Sequence, residues 1–212
     1  MTVAVGEPVQ ALSECLDSLR ASLPALGDND VVQMLREVET LCRQAYSVML
    51  DAIAETEARG IAAWEGFGST ARLVAATLRL SAAEARTRVE HAGLVGSRRG
   101  LTGQVLAPQA PATAAGLAAG QLGTGQLRII AETLAALPPS VPERVRERVE
   151  TDLAGYACDY DPRRLRLLAN RMLANVDPDG TPPAENPGGA TPVCGELWLR
   201  DRRDGRLGLE GW

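Results

Sequence analysis

The stretch DNDVVQMLREVETLCRQAYSVMLDAIAETEARG, residues 28–60, decides the fold class. Val31, Leu35, Val38, Leu41, Ala45, Val48, Ala52 and Ile53 recur at intervals of three and four, the period of one face of an α-helix. Asp28 or Asn29 supplies a cap at the start, and Gly60 ends the helix where a left-handed residue is wanted. Glu39 with Arg43 and Glu55 with Arg59 add i,i+4 pairs on the wet side. The helix is about 48 Å long at a rise of ~1.5 Å per residue. One that long needs neighbours along its length, so the stretch predicts a bundle or an extended arm.

The regions on either side are helical too. Val9, Leu12, Leu16, Leu19 and Leu23 predict a first helix over 8–23. Beyond Gly60, Trp64 and Phe67 sit in a turn-rich segment and are expected to anchor the long helix to the rest. Ser69 caps a helix over Thr70–Leu78. Ser81 and Glu84 form a capping box for a helix from Ala82 to about Val95. Residues 98–108 read as a loop with few fixed features. Pro111 opens a short alanine-rich helix to Ala119, and Thr124 caps another that Pro138-Pro139 stops after Leu137. Ser140 and Glu143 make a second capping box, with Pro142 in the first turn. Asp161-Pro162 opens the last helix, which ends near Val176.

Residues 177–193 are rich in proline and glycine and read as a linker. Residues 194–212 predict a small β-hairpin, Glu196–Arg200 and Arg206–Leu209 around Asp204-Gly205. The expected fold class is therefore all-α: a multi-helix bundle over residues 1–176, with one long N-terminal helix and a small C-terminal hairpin.

Composition agrees. Apolar residues make 45% of the 212 residues and aromatics only 3%, which suits close-packed helices better than a sandwich of sheets. All 22 basic residues are arginine; codon bias of a GC-rich genome accounts for that, and the functional alternative is phosphate recognition by a rigid guanidinium fork. No stretch has the ~18 apolar residues of a membrane span, and Met1–Gln10 lacks the basic start of a signal peptide. Cys15, Cys42, Cys158 and Cys194 are isolated, as in a reducing cytoplasm. The expected location is cytoplasmic, with no membrane partner.

Catalytic patterns are missing. His91 is the single histidine and reads as a surface or interhelical residue, since a metal site needs several further ligands nearby. No Ser-His-Asp motif accompanies it. Gly120, Gly123 and Gly125 lack the strand and spacing of a phosphate loop. Asp177-Pro178-Asp179-Gly180 opens like a calcium loop but lacks the later ligands. The sequence predicts no enzyme activity, no metal and no cofactor.

Charge is uneven: residues 1–60 are net −6, 61–110 net +3, 111–176 net +1 and 177–212 net −3. The basic block contains Thr70–Leu78 and Ala82–Val95, which have the lengths and tight turn of a helix-turn-helix. Arg79, Arg86, Arg88, Arg98 and Arg99 lie on or just beyond the second helix and are the candidate DNA contacts, because arginine bridges guanine edges or phosphates. The competing reading is a buried helical hairpin with arginines on its wet face. Leu80–Arg86 is echoed by Leu122–Arg128, each a turn leading into a capped helix with arginine in its second turn; duplication and chance both fit.

Taken in order, Glu57-Ala58-Arg59-Gly60, Ser69-Thr70, Leu80–Arg86, Leu117–Leu122, Arg128-Ile129-Ile130, Pro162–Arg166, Asp177–Gly180 and Asp204-Gly205 resemble the bacterial 13E12 repeat family. Its shared region is called domain of unknown function 222, and the likeness runs from about residue 28 to the end. The resemblance implies a helical domain that precedes an HNH endonuclease module, in proteins associated with mobile elements. It implies a DNA-related role, binding DNA or positioning a nuclease, and no catalytic residues here, because an HNH module needs paired histidines. A hairpin that stops where the family continues implies a truncated or split copy whose HNH-containing half is separately encoded. The alternatives are a protein-interaction or structural module and a truncated copy without function.

Overall fold

The computed structural model describes residues 6–100, 102–176, 197–201 and 207–211. They fall into two units, Met1–Pro178 and Asp179–Trp212. In the first, α1 is Gly6–Ser22, followed by a 3-10 turn at Leu23–Ala25. α2 is Asp28–Ala58, α3 the single turn Ile61–Trp64, α4 Thr70–Leu78 and α5 Ala82–Val95. After a short ladder come α6 (Pro111–Ala118), α7 (Thr124–Ala136), α8 (Glu143–Asp159) and α9 (Pro162–Val176). The all-α bundle with one long helix stands as expected.

The core is a single cluster. Leu50 and Ile53 of α2 meet Ala85, Ala92 and Val95 of α5, Leu117 of α6, Leu127 and Ile130 of α7, Leu153 of α8 and Leu165 of α9. Leucine and alanine make up most of the cluster. Only the second half of α2 takes part: its buried residues are Leu50 and Ile53, and α1 has none. α1 and the first half of α2 therefore form an arm beyond the body. Of the two outcomes the long helix predicted, it is bundle at one end and arm at the other.

Several helix ends differ from expectation. The residue before α2 is Gly27, not Asp28 or Asn29, and no side chain caps it. Asp28 and Asp30 instead lie in the first turn, where negative charge favours the helix dipole. α7 starts after Gly123, whose N–H donates to Gln126 Oε1 at 3.3 Å, so Thr124 is not the cap. Ser140 caps nothing: α8 starts after Pro142, whose carbonyl accepts from Val145 and Arg146. Arg146 is turned back, donating to the carbonyls of Leu137 at 2.9 Å and Pro138 at 2.5 Å. It thereby covers the C-terminal end of α7, as a cation does best.

The other caps form, although Glu84 turns its carboxylate to Arg88 rather than back to Ser81, so only the serine half of that capping box is made. Ser69 Oγ accepts from Arg72 N at 3.3 Å and Ser81 Oγ from Glu84 N at 3.1 Å. Gly60 takes φ +63° just past α2. Asp161 Oδ1 accepts from the N–H groups of Arg163 and Arg164 at 2.8 and 3.1 Å.

Trp64 is not an anchor. It is 88% exposed, while Ala62 of the same turn is buried; in so short a helix only one side meets the body, and the indole is on the other. Nor is the segment after α5 featureless: β1 (Arg98–Arg99) pairs antiparallel with β2 (Val105–Leu106). Gly103 at φ +82° makes the turn between them.

In the second unit, β3 (Leu197–Asp201) and β4 (Leu207–Gly211) pair antiparallel, from Leu197 opposite Gly211 to Asp201 opposite Leu207. Each strand starts one residue later than the sequence suggests. Asp204-Gly205, Asp177–Gly180 and the proline-rich stretch 177–193 lie outside the described residues.

Candidate nucleic-acid interface

The five candidate arginines fall into two groups. Arg88 is turned inward: it donates to Glu84 Oε1 at 2.6 Å and lies 5.8 Å from the centre of the Tyr46 ring. Its side chain is only 19% exposed. Arg99 donates to Glu55 Oε1 at 2.7 Å, tying the small β-ladder to α2. Arg99 and Arg59 together hold the Glu55 carboxyl below its ordinary range. Arg98 donates to the carbonyl of Ala107 at 2.9 Å. These three brace the scaffold.

Arg79 and Arg86 face outward. Arg86 is exposed and bonds only to Ala82 O one turn back, at 3.1 Å. Arg79 ends α4 in the left-handed region, φ 54°, and no other non-glycine residue among those described does so. An L-residue there costs about 1–2 kcal/mol, and Arg79 makes no side-chain hydrogen bond among the described residues. A strained, exposed arginine in the turn of a helical pair is a functional hint.

α4 and α5 do form the expected pair, joined through residues 79–81. One side of α5, however, is enclosed along its length: Ala85, His91, Ala92 and Val95 are all buried. Its exposed positions carry Glu84 and Glu90 beside Arg86, so the outward face is not clearly basic.

α9 is different. It carries Arg163, Arg164, Arg166 and Arg171 and no acidic residue. Leu165 and Ala169 face the core, while Arg163, Arg164, Leu167, Asn170, Arg171 and Asn175 are exposed. Arg166 is spent on Glu132 of α7, and Arg128 lies 3.8 Å from the same carboxylate. Arg164 sits 3.7 Å from Asp161 at 72% side-chain exposure. Arg163 and Arg171 have no ion-pair partner among the described residues. Two arginines in a first turn oppose the helix dipole, so stability alone does not call for them there. Sequence reasoning passed over this face because the acids of α8 diluted it: residues 111–176 sum to only +1. Read alone, residues 162–176 would have shown it.

His91, expected at a surface or between helices, is 5% exposed between α5 and α7. Its Nδ1 has no hydrogen-bond partner. Burial pushes its pKa down; Glu90 raises it, Arg128 lowers it further and Glu132 raises it. The unfolded chain titrates near ~6.5. Below that pH it binds a proton the folded protein resists, so stability falls as pH drops through this value and levels off below the folded pKa. Urea midpoints at about pH 7.5 and about pH 5.5 should fall for the native chain and change less for His91→Leu. Equal slopes for the two proteins would remove this role.

Among the described residues, no group of three or more His, Cys, Asp or Glu side chains could hold a metal ion. No helix there is long and apolar enough to cross a membrane. Cys15, Cys42 and Cys158 are free thiols.

Residues 32–190 match a family model described as a domain of unknown function, DUF222. The uncharacterized protein MT1160 of Mycobacterium tuberculosis (strain CDC 1551 / Oshkosh) is 33% identical over 183 residues, covering 85% of this chain and 42% of that protein. Uncharacterized protein Mb1179c of Mycobacterium bovis is 30% identical over 183 residues, 81% of this chain and 39% of that protein. This chain thus spans about two fifths of the length of such relatives. No solved structure matches. With three quarters of its length accounted for by one family model, the chain belongs to the DUF222 family.

Proposed function

We propose that the helical body, residues 1–176, is a non-catalytic DNA-binding domain that reads duplex DNA with the outer face of α9. The observation that carries this is the acid-free, exposed row of Arg163, Arg164, Asn170, Arg171 and Asn175. Arginine pairs with guanine edges or phosphates and asparagine with adenine edges. A helix about 22 Å long, about four turns, can lie in a major groove ~12 Å wide. Arg79 and Arg86 add backbone contacts from the α4–α5 turn. In keeping with the 13E12 likeness, the domain places an HNH-type nuclease on DNA, supplied by a separately encoded or downstream module, in the cytoplasm.

Fluorescence anisotropy with a labelled duplex at two salt concentrations tests it. The native chain should bind and weaken steeply with salt. Arg163→Ala, Arg164→Ala and Arg171→Ala combined should lower affinity roughly 10- to 100-fold and flatten the salt slope by about 2–3. Unchanged helicity by circular dichroism keeps that comparison valid, since all three side chains are exposed. Absence of binding at low salt would sink the proposal; a triple variant that binds like the native chain would move the site off α9.

A further inference from the structure

We propose that the arm formed by α1 and the first half of α2 is a self-association surface, whose occupant is the same arm of a second copy of this chain. α1 has 17 residues and buries none of them. An isolated helix of that length is marginal in water, and among the described residues its contact with the rest of the chain is slight, with Leu19 half-buried beside Met34 and Val38 of α2. Val9, Leu12, Leu16, Leu19 and Leu23 follow a strict three-four alternation, which is the seam of a coiled coil rather than the broader stripe of a globular helix.

The charges on α1 permit like to meet like. Glu7 and Glu14 project from the side opposite the seam, and Asp17 is paired with Arg20 at 2.6 Å. The positions flanking the seam are Pro8, Ser13, Cys15 and Arg20, so two copies would bring no carboxylates together. Along the α1 seam itself no acid flanks the leucines, so the seam offers a basic helix no ion pair and meets the seam of a second copy without repulsion; Asp30 and Glu37 lie in the groove beside it, not on the seam.

The area is of the right order. Val9, Leu12, Leu16, Leu23, Val32 and Leu35 are between 43% and 67% exposed. Together they present about 500 Å² per copy, against the roughly 800 Å² per partner of a stable interface. A groove of about 430 Å³ between the two helices of the arm is lined by Leu19, Leu26, Met34, Val38 and Leu41 together with Asp30, Gln33 and Glu37.

Light scattering after size exclusion, over a micromolar to submillimolar series of the full chain with reductant present, tests the proposal. Reductant matters because Cys15 and Cys42 are exposed and could cross-link. The native chain should shift from monomer to dimer. Leu12→Glu with Leu16→Glu should weaken association by roughly a hundredfold or more, while the melting of the body stays unchanged because Leu12 and Leu16 are exposed and belong to no part of the core. Leu35→Glu, on the other helix, should weaken it independently. A native chain that stays monomeric throughout overturns the proposal, as does a dimer that survives both variants. DNA binding by the monomeric variants is a separate readout, so either proposal can fail alone.

Discussion

Replacing Glu150 by leucine should destabilise the protein by about 3–4 kcal/mol, far more than an ordinary change from charged to apolar on a helix. Glu150 belongs to α8 and is 3% exposed. One carboxyl oxygen accepts from the backbone N–H of Thr113 and from its Oγ1, both at 2.6 Å. Thr113 is the third residue of α6, fully buried, and its N–H has no partner within the helix. Pro111, at the first position, has no N–H to satisfy. Glu150 thus caps α6 from a neighbouring helix. Leucine leaves two buried donors unsatisfied, each costing about 1–3 kcal/mol, and relief of carboxyl burial offsets part of that. Glu150→Gln keeps an acceptor oxygen and should lose about 1–2 kcal/mol. Urea denaturation followed by circular dichroism measures both. A leucine variant within about 1 kcal/mol of the native chain would mean that water takes over these bonds. Adding Thr113→Val should recover part of the loss, since the hydroxyl no longer needs a partner.

Gly120→Ala should cost about 3 kcal/mol. The turn from α6 to α7 presses on α2 at this point. A Cβ on Gly120 would lie 2.6 Å from Thr40 Cγ2 and 2.8 Å from Thr40 O. The threonine methyl can turn away, but the carbonyl belongs to the helix ladder and cannot. Gly120 also has φ +73°, which costs an L-residue about 1–2 kcal/mol without any clash. Overpacking adds about 1–3 kcal/mol. Gly60 separates the two effects: its φ is +63°, and nothing lies within 4 Å of its would-be Cβ. Gly60→Ala should therefore show the backbone cost alone, about 1 kcal/mol. If both substitutions cost the same, the close approach to Thr40 contributes nothing. Arg43 donates to Gln121 O at 3.0 Å beside this contact, so the Gly120 variant should also loosen the base of the arm.

These two positions illustrate what a sequence hides. Glu150 reads as one more acid on the helix ERVRERVETDLAGYACD, and its partner lies 37 residues away. Gly120 reads as a turn residue, which it is; that the turn touches α2 cannot be told from the residues around it. The same limit explains the arginines. Arg88 and Arg99 look as free as Arg79 and Arg86 until Tyr46, Glu84 and Glu55 are placed beside them. Trp64 was expected inside because a large aromatic usually is, yet one turn of helix with Ala62 inward leaves it outside.

The sequence by itself determined the helical class, the long helix ending at Gly60, and the capped starts of α4, α5 and α9. It could do so because helical period, caps and glycine stops are local, written within a few residues of where they act. Only the tertiary structure decided which half of α2 is buried, which arginines are already engaged, and that α9 rather than α5 turns an acid-free face outward. Periodicity fixes the relative orientation of residues on one helix. It carries no information about which neighbour, if any, will cover that face, and burial and ion pairing depend on the neighbour.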